Sequence, residues 1–107
     1  MQNPEWQHLN INDLKERIDS VQIADIRDPN SFRDGHIPGA VNLNNENVQS
    51  FIESSDLDAP LVVVCYHGHS SQGAATVLAR AGFEDVYSLD GGMTLFSSSY
   101  PELIEKG

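Results

Sequence analysis

Apolar positions along the chain fall into a repeating two-part pattern: a short run that reads as a strand, then a stretch with helical spacing. His8-Leu9 is a brief opening strand, and Ile11, Leu14 and Ile18 follow at helical spacing behind Asn10, a side chain suited to capping a helix N-terminus. Residues 21–26 predict the next strand. Asp28 and Pro29 then stand as N-cap and first-turn residue of a short helix that ends at Gly35. Pro38-Gly39 marks a turn before a short strand at Val41-Asn42-Leu43, and Val48, Phe51 and Ile52 share one face of another helix. Leu61-Val62-Val63-Val64 is continuously apolar and mostly β-branched, as in a parallel-sheet strand covered on both faces. Ala74, Val77, Leu78 and Ala81 fall at i, i+3, i+4 and i+7, which predicts the buried face of a helix terminated at Gly82. Val86-Tyr87-Ser88-Leu89 predicts a last strand, and Met93, Phe96 and Tyr100 a last helix. Such alternation predicts an α/β domain with an open parallel sheet and helices on both faces.

Length narrows this picture to one domain over residues 1–107, because 107 residues leave no room for two independent cores. At 39% hydrophobic and 21% charged residues, the composition is that of a soluble globular protein rather than a disordered or fibrous one. No apolar run approaches the roughly 20 residues that span a bilayer. Met1-Gln2-Asn3-Pro4-Glu5-Trp6 has neither the basic start nor the apolar block of a secretion signal, so a cytoplasmic location is expected. Six basic against sixteen acidic residues give a net charge of −10, which repels nucleic acid and anionic membrane surfaces and excludes both as expected partners. A lone cysteine cannot form an internal disulfide, in keeping with a reducing compartment.

That cysteine carries the candidate chemistry. Cys65 ends the most buried strand, and a helix begins after Tyr66-His67-Gly68-His69-Ser70-Ser71. Ligands of open α/β sheets bind in the crevice beyond the carboxyl ends of the strands. Backbone N–H groups curling around one centre form an anion nest, and the helix N-terminus adds unpaired N–H groups and the positive end of its dipole. A thiolate in such a place is stabilised; the bland alternative is an inert cysteine closing a core strand. Charge favours the anion site: residues 59–83 contain no Asp or Glu, and Arg80 is their only charged side chain. A buried strand and a packed helix excluding charge would leave the same gap. His67 and His69 raise a metal reading, but no second ligand cluster accompanies them, and no metal is expected. No serine sits in a nucleophile elbow, which leaves a Ser-His-Asp triad without support.

The loop and three further segments together resemble the rhodanese family over nearly the whole chain. Asp25-Ile26-Arg27 with Phe32, Gly35-His36-Ile37-Pro38-Gly39-Ala40 and Asn42 looks like that family's first signature, and residues 65–71 look like its active-site loop. Ala79, Gly82-Phe83, Val86 and Leu89-Asp90-Gly91-Gly92 are similar to its closing signature. Within the family, the short length and the Cys-Tyr-His-Gly loop look most like the single-domain bacterial thiosulfate sulfurtransferases of the glycerol-3-phosphate regulon. The resemblance implies a five-stranded parallel sheet. It also implies that Cys65 takes the outer sulfur of thiosulfate, releases sulfite, becomes a persulfide, and passes the sulfur to cyanide, a small thiol or a protein thiol. No cofactor is implied. A thiolate is the right nucleophile for divalent sulfur, and loop amides can stabilise the persulfide charge.

Tyr66, His67, Gly68, His69, Ser70 and Ser71 are the expected substrate-binding residues around the catalytic Cys65. Gly68 fits a conformation that a Cβ would obstruct, while Ser70 and Ser71 either donate hydroxyls to the substrate or cap the helix. Arg27 and Asp25 read as a structural ion pair or loop anchor, and His36 as a hydrogen-bonding strut; a share of Arg27, His36, His67 or His69 in catalysis is left open. Phe96 stands where family members often carry tryptophan, a change of packing rather than chemistry. Two other functions compete with the sulfurtransferase. One is a persulfide carrier relaying sulfur between proteins. The other, a cysteine-dependent phosphatase or arsenate reductase, needs an arginine six residues after the cysteine, where this chain has Ser71.

Overall fold

The computed structural model describes residues 5–107. Residues 1–4, part of the N-terminal stretch read above, lie outside the described residues. Strands β1 (Gln7–Leu9), β2 (Gln22–Asp25), β3 (Val41–Asn42), β4 (Leu61–Val64) and β5 (Val86–Leu89) alternate with helices α1 (Ile11–Arg17), α2 (Pro29–Asp34), α3 (Val48–Ser54), α4 (Ser70–Arg80) and α5 (Gly92–Ser99). All pairings are parallel, in the order β1-β5-β4-β2-β3. The sheet therefore has the five parallel strands that the resemblance implies. Among the described residues no helix is long and apolar enough to cross a membrane.

Local chemistry explains where the early elements begin. The Asn10 side chain accepts the Asp13 N–H at 2.8 Å, and the Asp28 carboxylate accepts the Ser31 N–H at 2.9 Å, each satisfying a helix-start amide. Alternate residues of a strand face opposite sides, and β4 uses both. Val62 and Val64 pack with Leu14, Met93 and Phe96, whereas Leu61 and Val63 pack with Ala75, Leu78 and Phe83. A buried core on each side of β4 places its carboxyl end at the centre of the molecule.

The expected buried face of α4 needs correction. Ser71, Ala75 and Leu78 are its buried residues, while Val77 is 63% exposed and Ala81 is exposed too. The helix is turned so that a small polar residue, Ser71, lies inward at the end nearest Cys65.

Candidate functional site

From β4 the chain proceeds through α4 to the neighbouring β5; from β2 it proceeds through α2 to β3, on the opposite side. The carboxyl ends of β4 and β2 thus flank a point where the strand order reverses, the usual position of a site in an open α/β sheet. Cys65 is the first residue beyond β4 and is 3% exposed.

Two amide donors converge on its sulfur, and the thiol itself donates to the Ser71 hydroxyl oxygen. The Gly68 and Ser71 N–H groups each lie 3.2 Å from Sγ, and the Ser71 hydroxyl lies 3.3 Å away. Burial, the largest single influence, pushes the thiol pKa up. Hydrogen bonding by the Ser71 side chain, the Ser71 amide and the Gly68 and His67 amides outweighs it, and the net shift is downward.

The loop is held from several directions. Gly68 has φ +89°, and a Cβ there would lie 2.9 Å from Gly91 N and 3.1 Å from Leu89 O. Gln72 Nε2 donates to Gly68 O at 2.9 Å. From the start of α5, the Met93 and Thr94 N–H groups bind the carbonyls of Cys65 and Tyr66 at 2.8 and 3.0 Å. Because a trans peptide points its N–H opposite to its C=O, the Tyr66 and His67 amides are thereby turned away from α5. Gly92, with φ +59°, makes this approach possible: a Cβ there would sit 2.5 Å from Tyr66 O.

Tyr66 crosses the crevice. Its hydroxyl bonds the Asp28 carboxylate and lies 3.2 Å from Ser31 Oγ. The Tyr66 hydroxyl, with the Ser31 amide and hydroxyl, holds the Asp28 carboxyl well below the usual carboxylate range. Arg27 and Asp25 form the structural pair anticipated from their types: Arg27 Nη2 donates to Asp25 Oδ2 at 2.8 Å and to Gly35 O at 2.7 Å, with both residues buried. His36 is a strut: its Nδ1 lies 2.9 Å from Phe32 O, its ring stacks on Phe32, and its backbone bridges Glu105. Phe96 lies wholly in the core.

These contacts sort the loop residues. Gly68 and Ser71 are buried against the sulfur, whereas Tyr66, His67, His69 and Ser70 are exposed around it. The capping alternative for the serines finds no support, because α4 has His69 at its N-cap and no side-chain cap bond. Among the described residues no three His, Cys, Asp or Glu side chains gather as a metal centre would need. A groove of about 600 Å³ between the start of α3 and the outer side of α4 is lined in part by Ile26, Leu43, Val48, Ala74 and Val77. It adjoins Asp28 but includes no residue of the 65–71 loop, so it holds no nucleophile.

A strand-ending cysteine ringed by amides is a family's hallmark only if the rest of the chain agrees, and it does: the rhodanese-like domain model matches residues 10–99. The chain belongs to the rhodanese-like domain family. A thiosulfate sulfurtransferase GlpE of Shewanella oneidensis is 60% identical over 91 residues, covering 83% of this chain and 90% of the relative. One from Pseudoalteromonas translucida is 50% identical over 103 residues, covering 94% and 98%. The solution structure of the rhodanese-like domain of the Anabaena sp. protein Alr3790 superposes with a TM-score of 0.81 at 26% identity, covering 99% of this chain and 81% of that one.

Local sequence patterns missed four contributors to this rhodanese-like site. Local pattern marks Asp28 only as a helix cap, Ser88 only as part of a strand, and Gln72 not at all. Gly92 was marked by the resemblance, without its reason. Asp28, Ser88 and Gly92 act through contacts formed only when separate segments meet, and Gln72 through a bond to the loop four residues before it.

Proposed function

We infer that the protein is a thiosulfate sulfurtransferase with Cys65 as its nucleophile. The observation that carries this reading is the convergence of the Gly68 amide, the Ser71 amide and the Ser71 hydroxyl on one buried sulfur. The Cys65 thiolate attacks the outer sulfur of thiosulfate, the S–S bond of the donor breaks, and its electron pair leaves with sulfite. A Cys65 persulfide anion remains. Cyanide, or the thiolate of a small molecule or protein, then attacks the terminal sulfur, departs as thiocyanate or a new persulfide, and restores the Cys65 thiolate. Gly68 and Ser71 hold charge on the sulfur, and Tyr66, His67, His69 and Ser70 form the rim that meets the donor. The exchange needs no cofactor, because the thiolate is itself the nucleophile.

The working unit is a single rhodanese domain over residues 1–107, acting in the cytoplasm. The two cores flanking one sheet support the first statement, and the lone thiol, which needs a reducing medium to stay free, supports the second. The net charge of −10 supports a partner set without nucleic acid or membrane. Mass spectrometry after incubation with thiosulfate is the test. One added sulfur atom on Cys65, with equimolar sulfite released and the added mass removed by cyanide, is the expected result; an unchanged mass overturns the reading. Sustained turnover of free thiosulfate with cyanide separates an enzyme from a carrier supplied by another protein.

A further inference from the structure

Behind the sulfur lies a second hydroxyl that the reaction does not touch. Ser88 Oγ, on β5, is 2.7 Å from Ser71 Oγ, and both serines are 0% exposed. Among the described residues the Ser88 side chain bonds Ser71 and no other group. Its neighbours on that sheet are β1 and β4, with Ser88 in register with His8 and Val63. A buried serine in a strand of an otherwise apolar core is an expensive choice unless its hydroxyl is satisfied, and the neighbour that satisfies it is the residue bonded to Cys65.

We propose that Ser88 is a positioning residue for the reaction: it donates its hydroxyl hydrogen to Ser71 Oγ and so turns the Ser71 O–H onto Cys65 Sγ. The inference rests on the sulfurtransferase reading only for its catalytic meaning. The proton arrangement follows from the three atoms alone. Cys65 Sγ, Ser71 Oγ and Ser88 Oγ form a chain with two links. When the sulfur is a thiolate, two hydroxyl hydrogens serve two links, in one direction: Ser88 to Ser71, and Ser71 to sulfur. Reversal would leave the charged sulfur without the Ser71 donor and aim the Ser88 hydrogen into the core. The chain therefore has one satisfied orientation, and it is the one that supports negative charge on the sulfur. The same orientation serves a persulfide, whose inner sulfur stays in place. A bond donated into Ser71 also polarises the bond that Ser71 donates onward.

The test titrates the only thiol in the chain by its alkylation rate against pH, with no thiosulfate present. It therefore remains readable whether or not Cys65 transfers sulfur. The ionisable side chains of the loop and of the neighbouring strand ends are Tyr66, His67 and His69 within the loop, Asp25 at the end of β2, Arg27 and Asp28 beyond it, and Asp90 beyond β5 paired with His8. All of them are common to every variant, so differences between variants report the hydroxyls. Ser71→Ala, which removes a bond to the charged sulfur, raises the midpoint by roughly one to two units. Ser88→Ala removes only the polarising and orienting bond, and raises it by roughly 0.1–0.7 unit. In a Ser71→Ala background, Ser88→Ala has no further effect. An unshifted midpoint in Ser88→Ala, or the same shift with Ser71 already replaced, overturns the proposal. A wild-type measurement keeps the test independent of the variants' folding: the Ser88 Cβ resonance is expected to titrate with the Cys65 midpoint, and a resonance static through that transition overturns the proposal equally.

Discussion

Replacing Gly68 by alanine sets the loop's backbone against its chemistry. The residue sits at φ +89°, and the added Cβ would meet two backbone atoms, Gly91 N at 2.9 Å and Leu89 O at 3.1 Å. Neither belongs to a flexible side chain, so neither can move aside cheaply. The left-handed conformation costs an L-residue about 1–2 kcal/mol, and forcing an extra methyl into a filled space costs about 1–3 kcal/mol more. Held in place, the loop would therefore lose about 2–5 kcal/mol, a large part of the roughly 5–15 kcal/mol that stabilises a typical domain. The loop can escape part of this cost only by shifting the Gly68 amide, which lies 3.2 Å from Cys65 Sγ.

Stability and thiol acidity are thus coupled outcomes, and two assays separate them. Urea unfolding, followed by circular dichroism and by fluorescence of the single tryptophan, Trp6, reads the first. Trp6 suits the purpose because its Nε1 donates to Thr76 Oγ1 on α4 at 2.9 Å. The pH dependence of Cys65 alkylation reads the second. Loss of one donor to a charged sulfur, worth about 1.5–3 kcal/mol, raises the midpoint by roughly one to two units and lowers the transfer rate by roughly 10²–10³. Gly73→Ala is the control: it lies on α4 close to the same loop, and its Cβ would meet nothing within 4 Å. It is expected to stabilise the protein by about 0.5–1 kcal/mol and leave the titration unchanged. A Gly68→Ala protein with wild-type stability and a wild-type midpoint would refute the argument that this glycine holds the amide on the sulfur.

Cys65→Ala is expected to abolish sulfur transfer at a stability cost of about 1–2 kcal/mol, checked by the thiosulfate–cyanide assay and by unfolding; measurable transfer in a folded variant rules out the mechanism. His67→Lys places a cation on the exposed rim, and KM for thiosulfate should fall roughly two- to fivefold at low salt, with the difference shrinking as salt rises. The Asp28 carboxyl, whose folded pKa is depressed chiefly by the Tyr66 hydroxyl, contributes its tie to the loop above the ordinary carboxylate range and loses it as pH falls through that depressed value. In Tyr66→Phe, the Asp28 carboxyl carbon followed by NMR should titrate closer to the ordinary value; an unchanged midpoint would show that Tyr66 is not the cause.

The central strand was legible because burial on both faces forces an unbroken apolar run, as at residues 61–64. Asn10 and Asp28 were legible as caps because capping is settled within one turn of chain. The face of α4 was not. Its buried positions, 71, 75 and 78, follow i, i+4, i+7 as regularly as any amphipathic helix, but the first of them is serine. A hydrophobic pattern counts Val77 as core and Ser71 as surface, and so turns the helix away from its true orientation. Ser71 faces inward with Ala75 and Leu78, and there its side chain meets Cys65 Sγ and Ser88 Oγ, across separations of 6 and 17 residues. The bond between Tyr66 and Asp28, 38 residues apart, is hidden from local patterns for the same reason. Family resemblance located the loop, but the hydroxyl relay behind it emerges only when β4, α4 and β5 are in place.

The absence of a cation from the 66–71 loop makes sense once charge is followed through the proposed cycle. Thiolate and persulfide each carry one negative charge, on Sγ in the first and one S–S bond further out in the second, so the stabilisation the protein supplies has to serve two neighbouring positions. Amides and hydroxyls whose positions are fixed by backbone and by buried side chains do this without reorganising between the two half-reactions. A cationic clamp in the manner of a phosphatase arginine would do something different, because it would grip the dianionic donor and the dianionic sulfite with similar strength. Uniform grip on substrate and product lowers KM but slows product release, and it adds nothing to the step in which the S–S bond breaks. In this loop the position six residues after the cysteine is spent instead on the sulfur itself, through Ser71 and the Ser88 hydroxyl behind it. The same logic limits what His67→Lys can achieve: its tighter thiosulfate binding brings a proportionate rise in inhibition by sulfite. A variant with lowered KM and unchanged sulfite inhibition would contradict the view that rim charge acts on both dianions alike.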